Sequence, residues 1–402
     1  MADYKKIKEL CDFNTSLTAS VVDEFLLYYA AEQDKLDRKA KTAFARYRHV
    51  SKGMPEGWYG MAMAQFIAHN IFKKDGLVQR YKNHRAIELR NEAELTWLGH
   101  HAKHPWRFSF AEIIDSLAKD FYTMEDVFNA EHYLLYSTGT TKELEIARPA
   151  LWFNLISWNG ACWQTYGTIV PFRGFEADDI CYFTHRLYPG LDLKESRKPM
   201  PLIEKNPVPY MMLFSGSEYP LVFQQDIQTV YNIAEYYDDS FYTDGLEASF
   251  KIEYAQDVYR LGLKGWDTFP HFATAYYDER KKELFLSALS DEGFDRLSGA
   301  LENCGYELSE EPDYRVNPGM HATANQVLKS KYDILRYDHL FSTETPEQKE
   351  QTDHINAVLQ KILPDINAGR EPDVQKLAKE AGMDPGDLQE IVDTFKKKLG
   401  RI

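Results

Sequence analysis

Residues 100–108 read HHAKHPWRF, and three histidines within five positions are the first place to look for a metal ion. On a helix, His100 and His104 share a face at i, i+4, and His101 and His104 at i, i+3. Zinc sites use such pairs, but a structural site needs four ligands and a catalytic one three with a water. The next carboxylates downstream are Glu112 and Asp115, and no glutamate stands between the histidines as HExxH chemistry requires. Pro105 also biases His104 away from helical geometry, which works against its pairing with His100. The segment therefore reads as a helix C-terminus, where imidazolium groups meet the last carbonyls favourably. No metal site and no cofactor is expected.

A second chemistry is anion binding. From Lys35 to Arg107 the chain carries 15 Lys/Arg against 6 Asp/Glu, a local balance of +9 in a protein of net charge -15, which leaves -24 for the remainder. Aromatics interleave with these charges in FARYRHVSKG and IFKKDGLVQRYKNHR. Arg46, Arg48, Arg80, Lys82 and Arg85 are candidates to neutralise phosphates or an acidic protein, and Tyr47 and Tyr81 to stack on bases. The competing interpretation is a solvated helix face whose aromatics turn inward. Asn317, His321 and Asn325 in NPGMHATANQ form the most site-like polar cluster, but no nucleophile neighbours them in the sequence. GxSxG, Walker-type and strand-linked GxGxxG motifs are absent.

These residues need elements to hold them. The 402 residues suit two or three domains, and 44% hydrophobic with 14% aromatic residues supply a packed core. The spacing predicts helices through TASVVDEFLLYYAAEQDKL, with Ser20 and Asp23 as a capping pair, and through MPEGWYGMAMAQFIAHNIFKKDG, with more around 86–100 and 109–120. Strand texture begins near residue 146, where Asn159-Gly160 joins two β-branched and aromatic runs as a type I′ hairpin turn. DDICYFTHRLYPG, VPYMMLFSG and SFKIEYAQDVYRLGL read as further strands. FATAYYDERKKELFLSALSDEGFDRLSGALENCGYELSEEP then predicts a hairpin, a helix capped by Ser290 and stopped by Gly305, and a strand over Tyr306–Leu308, with another helix from Pro318. A polar linker over 342–352 precedes helices near 353–363, 371–381 and 385–398. In the tail, LAKEAGMDPGDLQEIV looks like a helix-turn-helix, but Asp384, Asp387, Glu390 and Asp393 on its second helix oppose a phosphate array. Sequence-specific DNA reading by the tail is therefore not expected.

The expected architecture is α+β: a helical domain over 1–145 with a basic zone, a largely antiparallel sheet domain with packed helices over 146–341, and a small helical domain over 350–402. No run approaches the length of a transmembrane helix, and the N-terminus lacks an apolar signal-peptide core. The four cysteines fit no Cys-x-x-Cys spacing; Cys162 and Cys181 are the expected neighbours, and reduced thiols in a cytoplasmic protein are the simplest reading. The leading function is a non-enzymatic binding protein engaging an anionic protein or nucleic acid through the basic helical domain. A hydrolase-type enzyme with a site assembled only in the fold is the alternative.

Overall fold

The computed structural model describes residues 3–402 except 52–53, 56, 86, 88, 147, 192–199, 342–357, 359–360, 363–364, 366–370 and 399–402. The architecture is α+β, and the chain divides into two compact units, Met1–Ser217 with Tyr314–Tyr332, and Glu218–Asp313 with Asp333–Ile402.

The first unit opens on α1 (Tyr4–Thr18), capped by the Asp3 carboxylate, which accepts from Lys6 N–H at 3.2 Å. The chain does not restart at Ser20, as the capping pattern suggests. It widens into a π-helical stretch over Ala19–Leu26 and continues as α2 (Leu27–Gln33). The Ser20 hydroxyl donates to the Glu94 carboxylate instead of serving a helix end. Then come α3 (Leu36–Ala45), α4 (Arg48–Ser51), α5 (Trp58–Phe72), α6 (Val78–Tyr81) and α7 (Glu92–His101). α5 buries the residues its period selects, among them Trp58, Ala62, Phe66, Ile67 and Asn70. α7 starts with an Asn91–Glu94 capping box and ends at the histidines.

Of residues 109–120, expected as a helix, 109–118 are strand and 119–120 a turn. β1 (Arg107–Ala118), β2 (Phe121–Asp126), β3 (His132–Tyr136), α8 (Thr138–Ile146), β4 (Leu151–Trp158) and β5 (Trp163–Phe172) build a closed barrel in the strand order β1-β2-β3-β5-β4. β1 pairs with β2 on one side and β4 on the other, and those ladders outweigh the helix propensity of AEIIDSLA. The division expected at 145/146 falls inside this barrel. β4 is apolar on both faces for a physical reason. Trp152 and Ile156 join one buried cluster with Met124 and Leu135, while Phe153 stacks on Phe108 and Phe110 at 5.1 and 4.3 Å between centroids. Each such buried side chain contributes roughly 1.5–3 kcal/mol.

The β4–β5 hairpin turns at Asn159-Gly160, but through four residues, with Trp158 opposite Trp163. Only Gly160 takes positive φ, at +102°. The Asn159 side-chain oxygen accepts from the N–H groups of Ala161 and Cys162, each at 2.9 Å, so the amide and not a type I′ backbone shapes the turn. Two expected strands are helices: α9 (Ala177–Leu187) replaces DDICYFTHRL, and α11 (Val208–Met212) follows α10 (Met200–Lys205). In α9, burial of Asp179, Ile180, Phe183 and Thr184 has helical spacing, and a Glu176–Asp179 capping box starts it; composition rich in Ile, Tyr and Phe masked that period.

The second unit begins with the short hairpin β6 (Phe223–Gln224) and β7 (Ile227–Gln228). β8 (Tyr231–Tyr237), β9 (Phe250–Ala255), β10 (Val258–Leu263), β11 (Thr274–Asp278) and β12 (Glu283–Ala288) pair antiparallel in the order β8-β12-β11-β10-β9. α12 (Asp291–Glu302) packs Phe294, Leu297 and Leu301 with Leu261, Ala275 and Leu286 of this sheet. Ser290 caps it, accepting from Gly293 N–H at 3.0 Å, and Gly305 follows at φ +96°. Tyr306–Leu308 is not a strand. The next strand, β13 (Tyr314–Val316), and α13 (Pro318–Leu328) belong to the first unit. α14 (Asp338–Phe341), α15 (Val374–Ala381) and α16 (Pro385–Lys398) complete the described chain, with Ala378, Leu388 and Val392 in one buried cluster. The 342–352 linker and most of the helix expected at 353–363 lie outside the described residues.

Candidate functional site

Among the described residues the basic zone forms a concave site along α3. Lys35, Arg38, Lys39, Thr42 and Arg46 recur at helical spacing and line a cavity of about 490 Å³ with Tyr47, Asn206 and Val208. The four cationic side chains are exposed, and no carboxylate lines the cavity. Among the described residues none of the four forms a salt bridge. Lys39 Nζ donates to Asn70 Oδ1 at 2.9 Å, which steers the ammonium without neutralising it. Lys73 stands close enough to feel that charge: burial holds its ammonium below the usual range, and Lys39 lowers it further. Burial raises the Tyr47 phenol, while Arg46 opposes the shift. The result is a concentration of positive charge with donors and no carboxylate in the lining, a ready seat for phosphate oxygens.

The structure separates the residues that the sequence grouped. Arg46 and Tyr47 line the cavity. Arg48, on α4, is exposed but is not among the lining residues. Arg80 forms an ion pair with Asp34. Tyr81 is 2% exposed, and its hydroxyl donates to the same Asp34, so its ring is not offered to a base. Lys82 and Arg85 are exposed outside the cavity. Lys35, Arg38 and Lys39 were not singled out in the sequence, although their i, i+3, i+4 spacing with Thr42 and Arg46 marks one helical face. Asn206 and Val208 left no local signal, because they arrive from a distant segment.

The polar cluster is assembled only in part, and its work is structural. The Asn317 oxygen caps α13 by accepting from Gly319 N–H at 2.7 Å. His321 Nδ1 meets the Tyr182 hydroxyl at 2.9 Å, and its Nε2 lies 3.2 Å from Asn325 Nδ2. The Asn325 amide also donates to Tyr332 O and accepts from Ser330 Oγ, fastening the end of that helix. Asp179 accepts from Asn317 N–H and Glu176 N–H, and burial raises its carboxyl to about 7. Both its bonds go to backbone within a packed interior, not to a cavity.

His101 turns into the core, where its Nδ1 accepts from Trp106 Nε1 at 3.0 Å and burial lowers its pKa to about 3. His100 Nε2 reaches Trp158 O at 2.9 Å. The rings of His100 and His104 lie 4.4 Å apart, so Pro105 does not separate them as the sequence suggested. His104 N–H still bonds to His100 O, continuing the turn beyond α7. Cys162 neighbours Cys11 and not Cys181, with 3.4 Å between sulfurs.

A second cavity, about 540 Å³, lies where two irregularities of the first unit face each other. One is the π-helical stretch, which contributes Ala19 and Asp23. The other is a bulge in β5, where the register jumps between the Phe153–Val170 and Leu155–Tyr166 pairs, with Gly167 at φ +74°. Gln65 Nε2 donates to Tyr166 O and Thr168 O across the bulge, and Tyr166 OH donates to Asp23 at 2.6 Å. Amides and hydroxyls share this wall with Leu27, Met61 and Ala64, and it holds no Lys, Arg or His. Its only charged lining residue is Asp23, unlike the cationic α3 cavity. No family model, no curated protein and no solved structure matches the chain. Among the described residues no helix is long and apolar enough to cross a membrane.

Proposed function

We propose that the protein is a binding protein whose N-terminal helices hold a phosphate-bearing anion in the α3 cavity. The observation that carries this reading is the set of four exposed cations, Lys35, Arg38, Lys39 and Arg46, around a concave surface with no lining carboxylate. Like charges brought this close repel, and a bound anion relieves that repulsion while gaining charge-assisted hydrogen bonds. The volume is within the range of small-ligand sites. It favours a compact polyphosphate or phosphorylated small molecule over an extended strand, since Tyr81 is withdrawn and Arg80 is neutralised by Asp34. The enzyme alternative gains nothing from Asp179 or the Asn317–His321–Asn325 region, whose polar groups serve caps and helix ends.

Calorimetric titration of the whole protein with tripolyphosphate tests this reading, with a single-stranded oligonucleotide as the competing probe. Saturable tripolyphosphate binding that weakens as salt rises is the expected result. Absence of binding at low salt overturns it, and oligonucleotide binding without tripolyphosphate binding transfers the function to an extended nucleic acid.

A further inference from the structure

Cys11 on α1 and Cys162 at the end of the β4–β5 turn are 151 residues apart in sequence, yet their sulfurs lie 3.4 Å apart in the fold. Both are fully buried. Asn159 Nδ2 donates to Cys11 Sγ at 3.3 Å and to Cys162 Sγ at 3.5 Å, and to Gln164 Oε1 at 2.8 Å. Gln164 Nε2 in turn donates to Cys11 O at 3.1 Å. Two thiols are thus aligned by one amide within a web of neutral donors. Packing alone needs none of this, because a buried cysteine behaves as a small hydrophobe.

We propose that Cys11 and Cys162 are a redox modification site, closing on exposure to peroxide into an intramolecular disulfide that ties α1 to the tip of the β4–β5 hairpin. Closure requires the sulfurs to approach by about 1.4 Å to reach a bond of about 2.05 Å. The short turn at 159–162 is the segment able to supply that movement. Either thiol can donate to the other, and the Asn159 amide reaches both; Cys162, carried on the turn, is taken as the attacking sulfur. The Cys162 thiolate attacks one peroxide oxygen, the O–O bond breaks, and the departing hydroxide takes a proton to leave as water. The sulfenic acid so formed is attacked by Cys11 sulfur; the S–S bond forms, the S–O bond breaks, and the hydroxyl leaves with the Cys11 proton as a second water. Two thiols are oxidised and one peroxide is reduced. Peroxide is little larger than water, and Asn14, Thr15 and Gln164, which line the 540 Å³ cavity, stand beside the pair.

The test is peptide mapping of the whole protein after mild hydrogen peroxide, quenched by alkylation. The expected product is a Cys11–Cys162 cross-linked peptide, lost on treatment with dithiothreitol. Wild-type melting temperature should rise by roughly 5–10 °C on oxidation, because the bond closes a long loop in the unfolded chain. A Cys181→Ser/Cys304→Ser variant should behave as wild type, whereas Cys162→Ser should give no cross-link. Mapping the unsubstituted chain keeps the test decisive even where a cysteine variant folds poorly. Oxidation confined to Cys181 and Cys304, or sulfinic acid at Cys162 without the cross-link, overturns the proposal.

Discussion

Helices α3 and α6 both lie in the basic zone, and the fold treats the α3 cations and Arg80 of α6 in opposite ways. On α6, Arg80 is paired with Asp34, and Tyr81 is sunk into the core with its hydroxyl on the same carboxylate. On α3, Lys35, Arg38 and Lys39 stand with Arg46 around an open cavity and receive no carboxylate. The Arg80 charge is neutralised within the structure, and the α3 charges have no salt-bridge partner among the described residues. A cation count along the chain does not distinguish them. What distinguishes them is whether an acid from a neighbouring segment folds into reach.

The largest expected effect comes from reversing the open charges. Arg38→Glu with Arg46→Glu should weaken tripolyphosphate binding by about a hundredfold, since each lost contact costs about 1.4 kcal/mol. Thermal stability should stay level or rise, because repulsion is relieved. Calorimetry and melting of the same samples check both halves, and a loss of stability equal to the loss of affinity would break the contrast. Next, Asp34→Ala should destabilise the fold by about 1–3 kcal/mol, as it leaves the buried Tyr81 hydroxyl without its acceptor. Tripolyphosphate affinity should move little, as chemical denaturation alongside titration would reveal.

A pH-dependent effect is expected at Asp179, an acid built into the first unit. Burial raises its folded pKa to about 7, above the unfolded carboxylate value near 4. Between about pH 4 and pH 7 the folded state therefore holds a proton that the unfolded state has released. The stability linked to that proton is lost as pH rises across this window. Asp179→Asn should flatten the fall in melting temperature over the same range, and an unchanged slope would show that Asp179 is not the titrating group.

Where local pattern and tertiary environment agree, the sequence was readable. α5 and α12 bury the residues their period selects, and Ser290 caps as its position suggests. β1 was not readable, because its pairing with β2 and β4 decides against local helix propensity. α9 was hidden by β-favouring residues on a helical period. The α3 face was half visible: its spacing is printed in the chain, but Asn206 and Val208, which give it depth, come from elsewhere. Nothing local announces the meeting of Cys11 with Cys162, since barrel closure and the placement of α1 create it together.

Lysine footprinting tests the central contrast within one sample. The whole protein is acetylated briefly with and without saturating tripolyphosphate, and each lysine is quantified by peptide mass. Binding in the α3 cavity predicts severalfold protection of Lys35 and Lys39, with exposed Lys82 unchanged as the internal control. Equal reactivity at Lys35 and Lys39 in both samples, or protection centred on Lys82, would contradict it.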